Sequence, residues 1–251
     1  MSIESILLFV LFSGIAAYIQ TVSGFALGMI IMGAATALDL TSVPVAAAVV
    51  SLVTLTNGLF ALPGSLKNIY WRGTTATILG LLPSIILGVL LLDYFSETAY
   101  QILKLLLGFT ILFAAVHQML SQEPLKQVSS QSSYFISGVL GGLFGGLFGI
   151  AGPPLIYHYY RQPLNIAFIR NGLIMLFVVT SVTRTLYIGV QGQLDSHILM
   201  LSVFTIPAVG MATLIGRYYP PRISTKVLRR FVIAILSFIA INLITQVLFS
   251  I

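Results

Sequence analysis

Two short stretches hold the residues best suited to chemistry. Gln20-Thr21-Val22-Ser23-Gly24-Phe25 and Gly145-Gly146-Leu147-Phe148-Gly149-Ile150-Ala151-Gly152-Pro153-Pro154 interrupt otherwise apolar sequence. The chemistry they suit is anion binding. A helix restarting near Gly24 and another near Pro153 would each present an N-terminus, with free backbone N–H groups and about half a positive charge. Glycine lets a ligand approach the backbone, and proline fits a first helical turn because it has no N–H to leave unpaired. Two such ends converging from opposite sides would cradle an oxyanion without a buried cation. Gln20, Thr21 and Ser23 add side-chain donors. Gly24, Phe25, Gly149, Ile150, Gly152 and Pro153 form the tips themselves. The competing reading is that the glycines only let helices pack closely.

Three residues outside the breaks are further candidates for substrate binding. Asn57 either lines the path or bonds a neighbouring helix. Arg184, inside a helix, either snorkels to the interface or faces a substrate vestibule. His158, in Tyr157-His158-Tyr159-Tyr160, either carries a proton or belongs to an interfacial aromatic belt. Arg161 and Arg170 read as orientation charges.

The acids argue by their positions. Glu4, Asp39, Asp93, Glu97, Glu123 and Asp195 are all six of them, and each falls in a predicted loop or at a segment end. Cation carriers and proton pumps usually bury carboxylates for coordination or relay. Their absence from the spans speaks against a metal-ion carrier, and against an intramembrane hydrolase with paired carboxylates or a Ser/His/Asp triad. The chain has no cysteine, which removes thiol catalysis and disulfides. No phosphate-binding Gly-x-x-x-x-Gly-Lys-Ser/Thr motif occurs. No metal, cofactor or nucleic acid is expected.

The elements that must position these residues are membrane helices. Of 251 residues, 58% are hydrophobic and 7% charged, too few charges to solvate a soluble fold. Apolar stretches fall at 3–19, 25–38, 44–62, 73–92, 98–119, 132–149, 153–162, 165–189, 197–216 and 226–249. Most reach the roughly 20 residues that cross a bilayer as helix. The pairs 3–19 with 25–38 and 132–149 with 153–162 are short, each interrupted by one of the two breaks.

A duplication relates the halves. Gly24-Phe25 corresponds to Gly149-Ile150 at an offset of 125, and Pro83 to Pro207 at 124. Asp93-Tyr94-Phe95 corresponds to Arg217-Tyr218-Tyr219, and Lys104 to Arg229. Charge then sets orientation. Lys67 and Arg72 lie in a loop whose counterpart carries only Asp195. Asp93 and Glu97 face a counterpart with Arg217, Arg222, Lys226, Arg229 and Arg230. Positive loops stay inside, so equivalent loops face opposite sides. The expected fold is an all-α polytopic membrane protein of two inverted-topology repeats, each a broken-helix hairpin plus three transmembrane helices. The repeats are 1–119 and 132–251, with a polar linker at 120–131. The N-terminus carries Glu4 where a signal peptide would be basic, so it reads as retained.

The two break motifs resemble the paired signatures of the sulfite exporter TauE/SafE family. The resemblance covers nearly the whole chain, including Asn57 and Arg170-Asn171. Ala151 stands where a third glycine is common, and Ser181 near the place of a second asparagine. The resemblance implies a permease or exporter of sulfite, organosulfonates and related anions, multi-pass in the cytoplasmic (inner) membrane. Its expected partners are a small anionic substrate and the lipid bilayer, and a homodimer is compatible with it. Alternating access is the expected mechanism. An anion-selective channel is the alternative, though the spans are apolar for an open pore. An intramembrane enzyme and a non-transporting scaffold are the remaining readings.

Overall fold

The computed structural model describes residues 3–119, 124–221 and 225–249. Glu123 and Arg222, and the side chains of Lys226 and Arg229, lie outside the described residues. Ten α-helices make up the described chain: α1 (Ile3–Ser23), α2 (Leu27–Ala37), α3 (Val43–Ala61), α4 (Trp71–Thr98), α5 (Tyr100–Met119), α6 (Gln131–Phe148), α7 (Gly152–Tyr160), α8 (Ile166–Val190), α9 (Ser196–Tyr218) and α10 (Thr225–Leu248). Seven of them, α1, α3, α4, α5, α8, α9 and α10, are long and apolar enough to cross a bilayer. The chain is a polytopic membrane protein.

Local sequence explains most boundaries. Asn165 and Asp195 cap α8 and α9 by accepting the Ala167 and Ile198 amides, and Ser130 does the same for α6. Gly24 and Gly149, equivalent in sequence, both hold left-handed backbone, with φ of 84° and 66°. That conformation is open to glycine and ends α1 and α6. Pro83 and Pro207 both sit inside long helices, α4 and α9.

Loop contacts sort the helix ends into two faces. At one, Arg217 donates to the Phe60 and Pro63 carbonyls, Asn171 to those of Ser65 and Asn68, and the Leu125 amide to Arg161. Lys67, Arg72, Lys126, Arg161 and Arg217 gather at this basic face. At the other, Lys104 pairs with Asp39 at 2.8 Å and Gln193 donates to Asp93. Glu97 and Asp195 join them in this acidic face. α6 and α7 form a hairpin based at the basic face. α1 runs beside α9 with Tyr18 and Thr21 against Gly216 near its basic end, and α2 returns to Asp39 at the acidic face. At 21 residues α1 exceeds the expected 3–19 segment, so the first hairpin has one long and one short arm.

Packing partners come in exchanged pairs. α1 lies along α9 while α6 lies along α4, and α2 meets α10 while α7 meets α5. The α4–α6 contact is backbone against backbone. A methyl added at Gly138 would sit 2.1 Å from the Thr77 carbonyl oxygen, and one at Gly146 2.2 Å from that of Ile85. For these glycines the packing reading holds. Gly149 differs, because its backbone conformation is what the turn requires.

Candidate functional site

The two breaks meet. The first turns of α2 and α7 share a cavity lined by Gln20, Ala26, Gly28 and Met29 from one hairpin and by Gly149, Ile150, Ala151 and Gly152 from the other. Thr54 of α3 and Phe177 and Thr180 of α8 complete it. These three lie near the middles of their helices, so the cavity sits deep in the bilayer. Its volume is about 20 Å³, room for about one water.

Its donors are neutral. The Gly28 and Met29 amides belong to the first turn of α2, where no helical acceptor is available. α7 offers less than expected, because Pro153 and Pro154 have no N–H and leave Gly152 as the helical donor there. Thr54 and Thr180 carry hydroxyls, that of Thr180 bonded to the Leu176 carbonyl. Among the described residues no acid lines the cavity, and no three His, Asp or Glu side chains form a metal cluster.

On the basic side the cavity is bordered by a buried amide network. Gln20 Oε1 accepts the Leu27 amide at 3.2 Å, and its Nε2 donates to Asn57 Oδ1 at 2.9 Å. Asn57 Nδ2 donates onward to Thr21 Oγ1 and Thr213 Oγ1, at 2.9 and 2.8 Å. Asn57, with no exposed surface, therefore ties α1, α3 and α9 together beside the tip. Of its two expected roles, helix bonding is the one its contacts fill.

On the acidic side stands Arg184, one helical turn beyond Thr180. It is 1% exposed, the one charged side chain among the buried described residues. Its Nε donates to the Gly146 carbonyl at 3.1 Å and its Nη1 to Ser51 Oγ at 3.2 Å. It does not snorkel. No carboxylate lies within 4 Å of it among the described residues, whose one ion pair is Lys104–Asp39. A buried guanidinium without a direct ion-pair partner is costly, and it favours any anion placed near it.

Other expected residues lie off the cavity. Ser23 spends its hydroxyl on the Ile19 and Phe25 carbonyls, and Thr21 bonds back to Ala17. Gly24 packs on Arg170, whose side chain a methyl would meet at 2.8 Å. Phe25 stacks edge-on against Tyr160, which itself donates to the Ser23 carbonyl. His158 packs on the Tyr134 ring and neighbours Gln162. Pro153 faces a separate recess with His117, Gln118, Tyr157 and Tyr160, on the other side of the α7 first turn. Both amide atoms of Gln118 are buried there without a hydrogen-bond partner.

Sequence reasoning missed Thr54, Thr180, Gly28, Met29 and Gln118. A signal existed for the threonines. Thr54 lies one turn before Asn57 on α3, and Thr180 one turn before Arg184 on α8, a spacing that puts each pair on one helix face.

Comparison with known proteins agrees with the break motifs. The family described as "Sulfite exporter TauE/SafE" matches residues 9–243. A "Probable sulfite/organosulfonate exporter TauE" of Cupriavidus necator is 47% identical over 223 residues, 89% of this chain and 87% of the relative. No solved structure matches the chain.

Proposed function

Because the chain belongs to the sulfite exporter TauE/SafE family, a family of membrane transporters rather than enzymes, we propose that it exports small sulfur oxyanions such as sulfite or organosulfonates, holding each in the cavity between α2 and α7. The observation that carries this reading is the meeting of two helix N-termini deep in the bilayer, among neutral donors and without a carboxylate. Arg184 adds a permanent positive charge one turn away.

The cavity is narrow, with space for about one water. An oxyanion with several oxygens requires the hairpins to separate. Two different closures flank the site, and alternating access is their alternate release. Opening toward the basic face breaks the Gln20–Asn57 contact. Opening toward the acidic face frees Arg184 from Gly146 and Ser51. The repeats, 1–119 and 132–251, are inverted copies that rock against one another. The exchanged packing partners and the matching left-handed glycines support that assignment. The basic face is cytoplasmic by the positive-inside rule, in the cytoplasmic membrane.

The test is calorimetric binding to purified protein across sulfite, sulfate, thiosulfate, taurine and sulfoacetate, with acetate as control. Thr54→Val removes a hydroxyl at nearly constant volume. It should weaken binding of the preferred anion by a few-fold to about tenfold, the worth of one hydrogen bond. Folded protein that binds none of the sulfur anions would overturn the reading.

A further inference from the structure

The basic face holds a second polar recess, apart from the central cavity. It measures about 230 Å³ and lies where the first turns of α4 and α6 converge, lined by Tyr70, Arg72, Gly73, Ser129, Ser130 and Tyr134 among others. Arg72 supplies an exposed cation at its rim. Trp71 and Ser133 give their amides to Ile69 and to the Ser130 cap, but those of Arg72, Gly73 and Gln131 have no acceptor within their own helix, and both dipoles point their positive ends here. Ser129 Oγ accepts from Gln162 Nε2, so its own proton is directed elsewhere. Among the described residues no acid lines the recess.

Tyr134 supplies the independent observation. It is 1% exposed, and its hydroxyl is buried without a hydrogen-bond partner. Packing accounts for the ring, which is held by Tyr70, His158 and Tyr159. Phenylalanine would fill that aromatic cluster equally well. Packing does not account for the hydroxyl, which is costly to bury unsatisfied.

We propose that this recess binds a tetrahedral oxyanion, such as a phosphate or sulfonate group, at the basic face. Arg72 neutralises its charge, the first-turn amides of α4 and α6 donate to it, and the Tyr134 hydroxyl donates from the inner wall. The group comes either from a free anion or from the phosphodiester of an acidic lipid, since the recess opens at a membrane-facing helix end beside exposed Trp71. Tyr134 touches His158 and Tyr159 of α7, so an occupant bears on the helix whose other end lines the central cavity.

The experiment compares the wild type with Tyr134→Phe, Arg72→Gln and Thr54→Val. Inorganic phosphate is titrated calorimetrically into detergent-solubilised protein at constant ionic strength. Melting temperature is measured in phosphatidylcholine nanodiscs with and without phosphatidylglycerol. Tyr134→Phe should weaken the response about threefold or more without lowering the unliganded melting temperature, and Arg72→Gln should abolish it. A phosphate response alone identifies a free-anion site, and a phosphatidylglycerol response alone a lipid site. No response to either, or one that Tyr134→Phe leaves intact, overturns the proposal. So does a response lost in Thr54→Val, which would belong to the central cavity.

Discussion

Arg184 reaches from α8 to the last turn of α6, where its Nε donates to the Gly146 carbonyl at 3.1 Å. That carbonyl is one of the four a helix C-terminus leaves unbonded. The guanidinium thus caps α6 against its dipole while fixing a positive charge beside the α7 tip. One bond joins the end of a hairpin arm to a spanning helix.

Removing that charge should separate binding from folding. Arg184→Gln keeps a donor for Gly146 but loses the cation. Affinity for a sulfonate should fall about tenfold to a hundredfold, the range of a charged hydrogen bond. Melting temperature should change little, because the variant also removes a buried charge that has no direct ion pair. Calorimetry with a thermal melt reads both.

A carboxylate at position 20 should mimic the substrate. Gln20→Glu still accepts the Leu27 amide and suits the N-terminus of α2. It also puts a negative charge into the cavity that the anion must enter. The variant loses the bond to Asn57 Oδ1, so its melting temperature should fall, and anion affinity should fall at least tenfold or so. Wild-type affinity in the folded variant would show that the anion binds elsewhere.

Two nearby glycines should behave oppositely. Gly24→Ala meets Arg170 at 2.8 Å with φ at 84°, so stability should fall by about 1–2 kcal/mol with affinity largely kept. Gly28→Ala is helical, and its methyl would lie 3.3 Å from Ile150 and 3.4 Å from the Gly149 carbonyl oxygen, on the cavity side. It should weaken binding with little thermal cost. Paired melts and titrations distinguish the two patterns.

Sidedness can be read directly because the chain has no cysteine of its own. Single cysteines at Ser65 and Gln127 should label with an impermeant reagent only from the cytoplasm. Cysteines at Ser96 and Ser196 should label only from outside. Labelling of Ser65 and Ser196 from the same side would exclude inverted topology.

With no carboxylate or histidine lining the cavity among the described residues, affinity for a permanently ionised sulfonate should stay flat between about pH 6 and about pH 8. A change of several-fold across that window would place a titratable group in the binding step.

The helices and both breaks were legible because apolar runs and Gly/Pro interruptions report directly on backbone requirements. Gly24 and Gly149 are the clearest cases, since a left-handed residue ending a helix favours glycine wherever it lies. Which atoms face the cavity was not legible. Ser23 looks like a donor in sequence, yet a serine in a helix's last turn bonds readily to its own backbone. Thr54 and Thr180 hide in apolar runs for the opposite reason, as threonine passes for a core residue until its neighbours are known. Arg184 carried two readings because side-chain direction depends on where α6 ends, which the α8 sequence does not contain.

The exchange of packing partners bears on how the protein is made. α1 leaves the ribosome long before α9, the helix it lies along. Through most of synthesis Gln20, Thr21 and Asn57 wait without Thr213, so their polar groups must be shielded by lipid headgroups, water or the insertion machinery. The α1–α9 contact therefore closes only after α9 has been made. A truncation that stops short of α9 should leave not a working half but an unfinished, protease-sensitive intermediate.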